Sequence, residues 1–548
     1  MIPEGGNRFR TRSSSNRTIN DGSDSTQLDQ TQGRQAPTQP GHMRFSSLIV
    51  ELIRARPRLV MWLAVLAQAA LWLLVPLLIY RSPPGDLASL LAFGREYQVG
   101  TDLGPPLAFW LADAAFRLAG NHMFGVYVLS QLCFVVTFAA LYELGRTIVG
   151  GPHAVLAVLL TVTATAFGAP NLQFGPAVLA CPLWVLVLFH TWRIIGQGDH
   201  RSWFALSIEA GLLLLTISAA GWLLLLVVGF ALAAARGRRA FGSFDPWFAA
   251  LVVAVLVLPY AVWLLRAGTL NWPAWPDVSD PRELARTWGW MIGGLLLALL
   301  GMAFLIALNS RVVHRKLLRG RDSAPGVRRL PVDPLARPFV YFFALAPALV
   351  GSMIAVLFGF DAIAGGIGIA LSMSGLAVVV ATGDLIYLRR QQVLRVVWAA
   401  AIVTPALALL LMILVQPWIS GTQMPTSLPG RAVAQFFGDS FQRRINRPLP
   451  AVVGDPQLAA LIGLGPSRPH LLLATAPERG PWLTPEKFNE VGGVVVWRAS
   501  DTAGTPPSDI ASRFPGLVPE VPQSFDWLVN GRTAPLRIGW AIVRPRAP

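Results

Sequence analysis

The chain has 548 residues, of which 54% are hydrophobic and only 14% are charged. Soluble domains carry about a quarter charged residues, so this balance excludes an ordinary soluble protein and indicates a membrane protein. The 45 lysines and arginines exceed the 29 aspartates and glutamates. The arginines cluster at the ends of apolar runs, so membrane topology and anionic headgroups explain the positive charge better than nucleic acid does.

The chain begins with a polar segment, residues 1–44, that is rich in Ser, Asn, Gln, Gly and Arg. It lacks the apolar stretch of a signal peptide. Its composition cannot bury a core, so we predict a disordered, basic tail on the cytoplasmic side.

Eleven apolar runs of about bilayer length follow the tail. The first is Leu59 to Tyr80, preceded by Arg54, Arg56 and Arg58. The others cover roughly 124–145, 152–168, 172–192, 203–218, 220–235, 246–265, 287–309, 339–360, 362–383 and 396–417. We therefore predict an α-helical polytopic membrane domain over residues 45–420 with about 11 transmembrane helices. The stretch 203–235 reads either as one broken helix or as two.

The positive-inside rule sets the predicted orientation. With the tail in the cytoplasm, the connections on that side are rich in arginine, above all 311–337, and the opposite loops carry far fewer. An odd number of spans then places everything after Trp418 in the periplasm. The predicted location is a bacterial inner membrane.

The C-terminal segment, residues 421–548, contains no further spanning run. Its short apolar runs predict strands at 451–455, 470–475, 493–500 and 537–545, with a helix at 455–465. This pattern indicates a small periplasmic α/β domain.

The first periplasmic loop, residues 81–123, is long where most others are short. It holds four carboxylates, Asp86, Glu96, Asp102 and Asp113, and two helical patterns at 87–93 and 107–118. These patterns predict amphipathic helices at the membrane surface. Such a loop suits a substrate that is half lipid and half sugar.

The sequence around this loop resembles a known family. An acidic residue opens a short helix directly after the first span, and residues 104–150 read GPPLAFWLADAAFRLAGNHMFGVYVLSQLCFVVTFAALYELGRTIVG. GPPL stands where the family often has HPPL, and ELGRTIVG is similar to its frequent "LGR..FG" ending. Over roughly residues 59–235 the chain thus resembles the dolichyl-phosphate-mannose protein mannosyltransferases, glycosyltransferase family 39, whose bacterial relatives include the lipid A aminoarabinose transferases.

The resemblance implies a GT-C fold and transfer of a sugar from a polyprenyl-phosphate donor, with inversion at the anomeric carbon. It makes Asp86 the catalytic base, a role that a carboxylate beside an acceptor hydroxyl can fill. The family often has Asp-Glu here, where this chain has Asp86-Leu87, and Gly104 replaces the family's His. The expected acceptor is a periplasmic glycan, lipid or protein.

Other loop residues are candidates for substrate binding. The negative charge of a leaving lipid phosphate is stabilised by cationic hydrogen-bond donors. The candidates to bind this phosphate are Arg81, Arg95, Arg266 and Arg282. Asp102 is a candidate to orient the acceptor or a sugar hydroxyl, and Glu96 is a further substrate-binding candidate.

Each candidate also has a purely structural interpretation. Asp86 is suited to cap the helix that follows it. Arg95, Glu96 and Asp113 fit solvated helix faces, and the arginines near 266–286 fit anchors to lipid headgroups.

No cofactor is predicted. The histidines show no HxxxH or HExxH spacing and the chain has no nucleotide-binding glycine motif, so no protein-built metal site is expected. Divalent-cation dependence stays open, because GT-C families differ in it. The predicted partners are the lipid-linked donor, the acceptor and membrane lipids, without nucleic acid.

Two other functions compete with the transferase. A transporter or flippase for a lipid-linked glycan would place charges or broken helices near the midplane, and this chain has few such charges. A non-catalytic assembly or sensor protein built around the C-terminal domain is the third hypothesis.

Overall fold

The computed structural model describes residues 45–546, except 102, 169–172, 268–279, 311–325, 330, 361, 389–390, 474–479 and 500. The predicted tail 1–44 and the candidate Asp102 lie outside the described residues.

Helices build the membrane part of the described chain. In order they are α1 Phe45–Ala55, α2 Pro57–Ile79, α3 Leu87–Gly94, α4 Leu107–Leu118, α5 Phe124–Val149, α6 Gly151–Val162, α7 Pro176–Gln197, α8 Ser202–Leu214, α9 Ala220–Ala233, α10 Ala235–Phe241, α11 Asp245–Arg266, α12 Pro281–Ala298, α13 Leu300–Asn309, α14 Ala336–Phe358, α15 Ile367–Leu371, α16 Ser374–Ala381 and α17 Gln391–Ile419. Short 3-10 turns lie at Thr165–Phe167 and Ile363–Gly365.

The multi-pass prediction is confirmed. Among the described residues, six helices are long and apolar enough to cross a membrane, namely α2, α5, α7, α11, α14 and α17. Two bent pairs, α9 with α10 and α12 with α13, raise the number to eight if each pair is one span. The other three predicted runs are also helical but shorter: α6, α8, and α15 with α16. The stretch 203–235 is resolved as two helices, α8 and α9.

The membrane helices share one large apolar core. α5 packs against α2, α6 and α7, and α8 packs between α7 and α11. Fully buried aromatic side chains such as Phe138, Tyr142 and Trp184 fill the space between them. Helices are the expected solution here, because they satisfy every backbone hydrogen bond within the segment.

The C-terminal segment forms an α/β unit. Its strands are β3 Ala451–Gly454, β4 His470–Leu471, β5 Gly493–Arg498, β6 Gln523–Phe525 and β7 Leu536–Val543, and β1 Gly326–Arg328 and β2 Leu385–Tyr387 precede them in the chain. Its helices are α18 Gly430–Ile445, α19 Pro456–Ile462, α20 Pro485–Val491 and α21 Ser508–Arg513, after a 3-10 turn at Pro425–Ser427. The four predicted strand segments and the predicted helix are confirmed.

The sheet of this unit has the order β4-β3-β5-β7-β6. β3 runs parallel to β4 and β5, and β7 runs antiparallel to β5 and β6. Because successive strand side chains point to opposite faces, Val494 and Val496 of β5 join the core beneath α18 and α19. Val495 and Trp497 join the core on the other face. Helices therefore cover both faces of the sheet.

The first loop and the C-terminal unit pack against each other. Ala88 and Ala92 of α3 belong to the same buried core as Phe437 and Leu461. The backbone N–H groups of Arg81 and Ser82 both donate to the Thr426 carbonyl, at 3.0 and 3.3 Å. This contact lies at the C-terminal end of α2.

Connections at the other end of α2 also meet one another. β1 pairs antiparallel with β2, which joins the long basic connection to the segment after α16. Arg236 binds Asp333 at 2.8 Å, and Arg58 binds Glu143 at 3.5 Å. The loops predicted to share one side of the membrane are therefore neighbours in space.

Candidate functional site

The proposed base, Asp86, stands at the N-terminus of α3. Gly85 before it has a φ of +50°, which favours glycine, and a Cβ there would lie 2.8 Å from Gln173 Oε1. This glycine lets the chain turn sharply into α3. Asp86 holds the N-cap position, yet its side chain makes no capping hydrogen bond and is exposed. Its carboxylate is therefore free to meet a substrate.

A second glycine brings the two loop helices together. A Cβ on Gly94, the last residue of α3, would lie 2.3 Å from the Phe109 carbonyl oxygen and 3.1 Å from Asp113 Cβ. No larger residue fits without movement. This close approach places Arg95 and Glu96, which follow Gly94, beside α4.

A buried carboxylate on α4 joins the loop to the C-terminal unit. Asp113 is 0% exposed. Arg117 Nε donates to its Oδ2 at 2.6 Å, and Arg468 Nη2 donates to its Oδ1 at 2.5 Å. The solvated-face interpretation of Asp113 is therefore wrong, because α4 turns this face inward. Arg468 also lies over the Phe116 ring, 5.1 Å from its centroid.

A histidine of the C-terminal unit contacts the residues after α3. His470 Nδ1 lies 2.8 Å from Glu96 Oε1, and Arg95 Nη2 lies 3.5 Å from His470 Nε2. The Glu96 side chain is only 7% exposed. The solvated-face interpretation therefore fails for Glu96 as well. With the proton on Nδ1, the neutral ring donates to Glu96 and accepts from Arg95.

The remaining arginine candidates are exposed. Arg81 follows α2, Arg266 ends α11 and Arg282 lies in the first turn of α12. Trp263, one helical turn before Arg266, packs so closely on Gly100 that a Cβ there would lie 2.2 Å from its Cε3. The end of α11 therefore borders the loop. Exposure at these positions suits either a substrate or lipid headgroups.

The sequence singled out no role for Arg468 or His470. They stand hundreds of residues from the loop in the chain, and no spacing rule links them to it. Arg468 has a φ of +45°, a strained conformation for a non-glycine residue. Only the folded chain brings these two side chains to Asp113 and Glu96.

No cluster suited to a metal ion occurs in the described part of the chain. Groups of three or more His, Cys, Asp or Glu side chains that could hold an ion are absent there. Of the described loop carboxylates, Asp113 pairs with two arginines and Glu96 with His470, while Asp86 makes no capping hydrogen bond.

Solved structures with a similar fold include two of the same enzyme. ArnT from Cupriavidus metallidurans bound to undecaprenyl phosphate has a TM-score of 0.51 and 12% identity, covering 92% of this chain and 100% of that one. Its apo state has a TM-score of 0.55 and 14% identity, covering 89% and 98%. At these identities the likeness establishes the fold, and the predicted GT-C fold is confirmed. A comparison with curated proteins found no match.

A family model decides the class. Residues 104–263, which run from the loop through α11, match the model described as dolichyl-phosphate-mannose-protein mannosyltransferase. The chain is a GT-C membrane glycosyltransferase. The match begins at Gly104, where the sequence resemblance was sharpest.

This identity favours the enzyme over the transporter and the assembly protein. The matched segment includes α4, which carries Asp113 and Arg117, and it ends at Trp263, the residue packed on Gly100. The C-terminal unit lies outside the matched residues.

Proposed function

We propose that this glycosyltransferase moves a monosaccharide from a polyprenyl-phosphate donor to a periplasmic glycan, lipid or protein, with Asp86 as the base. The carboxylate of Asp86 carries the proposal, because it is exposed and uncapped directly after the first span. The ArnT complex supports the donor class, since that protein is bound to undecaprenyl phosphate.

The reaction is a single displacement. An acceptor hydroxyl gives its proton to an Asp86 oxygen while its own oxygen attacks the anomeric carbon. The bond between that carbon and the phosphate oxygen breaks, and the lipid phosphate leaves with the electron pair. One displacement inverts the configuration, and Asp86 ends protonated.

Charge on the departing phosphate needs cationic neighbours. Arg81 lies five residues before Asp86, and Arg266 lies at the helix end that borders the loop. Arg282 is a third candidate on the same predicted side. Asp102, outside the described residues, is proposed to orient the acceptor. Glu96 is proposed to act indirectly, since its carboxylate is held by His470.

The orientation and domain limits are part of the proposal. Residues 45–420 form the membrane transferase domain, 421–548 the periplasmic domain and 1–44 the cytoplasmic tail of an inner-membrane protein. The excess of arginine at the β1–β2 end supports this orientation. So does the position of Asp86 at the other end, where lipid-linked sugars are used.

The test compares Asp86→Asn with Asp526→Asn, the same change at an exposed aspartate of the C-terminal unit. Both proteins are reconstituted with radiolabelled polyprenyl-phosphate sugars and a periplasmic glycan extract. Loss of the base should slow transfer by about 10²–10⁴-fold, with donor binding retained, and Asp526→Asn should match the wild type.

Two results would contradict the proposal. Equal transfer by Asp86→Asn and wild type would remove Asp86 as the base. Absence of transfer by the wild type from every polyprenyl-phosphate sugar would remove the donor assignment.

A further inference from the structure

The junction between the first loop and the C-terminal unit holds more positive than negative charge. We call its members the junction cluster: Arg95, Glu96, Asp113, Arg117, Arg468 and His470. Three guanidinium groups face two carboxylates, and a histidine ring such as that of His470 adds no negative charge. One positive charge is therefore left without a counter-charge.

The excess charge belongs to Arg95. Asp113 is shared between Arg117 and Arg468, and Glu96 is engaged by His470. Among the described residues, no carboxylate forms an ion pair with Arg95. Its guanidinium makes one hydrogen bond among the described residues, from Nη2 to the His470 ring nitrogen Nε2 at 3.5 Å. Burial lowers the pKa of the Arg95 guanidinium; Glu96 opposes this shift, while Arg468 and Arg117 add to it.

Two guanidinium nitrogens in the junction cluster are buried without a hydrogen-bond acceptor in the described structure, Arg95 Nη1 and Arg468 Nε. A buried donor left unpaired is unfavourable, and more so when it is charged. Water can accept such hydrogen bonds but cannot neutralise the charge. An anion does both. The His470 side chain, 38% exposed, leaves the cluster open to solvent on one edge.

We propose that Arg95 and Arg468 form a binding site for a phosphate-type oxyanion at this junction. Guanidinium groups present planar sets of donors that match phosphate oxygens, and two of them from different elements can grip a tetrahedral anion. The site takes one arginine from the loop and one from the C-terminal unit, so the bound anion joins the two.

The site is distinct from the place of proton transfer. Asp86 and Arg95 stand at opposite ends of α3, and nine residues of helix rise about 13 Å. The choice of phosphate over other anions rests on the proposed function, in which the chain handles a lipid phosphate. The charge imbalance and the unpaired donors do not depend on that function.

The test is anion-dependent stability of the full chain, purified in a nonionic detergent without phosphate. Inorganic phosphate is compared with sulfate, acetate and chloride at equal ionic strength, and undecaprenyl phosphate with the corresponding polyprenol. A ligand that binds only the folded state raises the unfolding temperature. We expect phosphate to do so for the wild type and for Arg443→Gln, a control at an exposed arginine of α18 that has no part in the proposed function.

Arg95→Gln is the decisive variant, because Arg95 has no ion pair to lose. It should weaken phosphate binding tenfold or more, measured by calorimetry. Its unfolding temperature in phosphate-free buffer should equal or exceed that of the wild type, since an unpaired buried charge is gone. A merely structural arginine would lower that temperature on removal.

The outcomes separate the sources of the anion. A shift with both inorganic phosphate and undecaprenyl phosphate that Arg95→Gln weakens supports a site for the phosphate group itself. A shift with the lipid phosphate alone supports the same site occupied by a lipid only where Arg95→Gln weakens it, because a lipid phosphate bound at the reaction site would shift both proteins equally. No shift with either, or an equal shift in Arg95→Gln, would overturn the proposal. Sugar transfer is not measured here, so failure of the proposed function would appear separately.

Discussion

Two carboxylates of this glycosyltransferase each contact two arginines, at opposite ends of the membrane part. Asp113 binds Arg117 and Arg468 at the junction with the C-terminal unit and is 0% exposed. Glu143 binds Arg146 at 2.6 Å and Arg58 at 3.5 Å near the start of α2, with 34% of its side chain exposed. Both carboxylates form ion pairs with two arginines, but only Asp113 is fully buried.

The difference in burial gives the ion pairs around Glu143 and those around Asp113 different effects on stability. Water screens the pairs around Glu143, so they contribute little stability and mainly mark the arginine-rich side. Around Asp113 the carboxylate is 0% exposed and Arg468 only 12%, so the loss of either partner leaves a buried charge unpaired and costs free energy. A partly buried cluster that holds more arginines than carboxylates is stronger evidence for a bound anion than exposed ion pairs are.

The largest expected effect comes from removing the buried carboxylate. Asp113→Asn leaves Arg468 without its counter-charge inside the junction, and breaking a buried pair costs about 3–5 kcal/mol. Glu143→Gln, the matched control, should cost less than about 1 kcal/mol. Thermal unfolding in detergent, followed by tryptophan fluorescence, measures both. Equal losses of stability in Asp113→Asn and Glu143→Gln would contradict the expected difference between the buried and the exposed carboxylate.

A smaller effect is expected from pushing the loop helices apart. Gly94→Ala places a Cβ against the Phe109 carbonyl, and such overpacking costs about 1–3 kcal/mol. Gly438→Ala is the control, because a Cβ there meets nothing within 4 Å. Its better helix propensity should stabilise α18 by up to about 1 kcal/mol. An equal fall of the unfolding temperature in Gly94→Ala and Gly438→Ala would mean that the close approach of α3 and α4 at Gly94 does not cause the loss of stability.

The smallest effect is a pH dependence at the exposed end. The hydrogen bond from Arg236 lowers the pKa of Asp333. A lowered carboxyl pKa contributes stability that is present above the unfolded-state pKa and is lost as the pH falls through the folded-state value. Exposure keeps this contribution below about 1 kcal/mol.

Unfolding temperature measured against pH tests this sign. The wild type should lose slightly more stability on acidification than Asp333→Asn, which has no carboxyl to protonate at that position. A steeper acid loss in the variant would reverse the assignment.

The sequence by itself determined the class and much of the architecture. Each of the eleven apolar runs predicted from hydropathy is helical in the described residues, because a segment buried in lipid must be apolar along its own length. Short apolar runs such as 493–498 located four of the five strands of the C-terminal sheet, and β6 was not predicted. The resemblance to the mannosyltransferase family was found in residues 104–150. The position of Asp86, directly after the first span, was also predictable without the tertiary structure.

The tertiary structure alone decided which helices are short and what the loop touches. Hydropathy does not report where a helix breaks, so α6 and α8 looked longer in sequence than they are. Glu96 and Asp113 looked solvated because helical spacing shows only one element's own faces. Arg468 and His470 reach them through the packing of α3 on α19, a contact between distant parts of the chain. Such contacts depend on shape and burial, which no local pattern records.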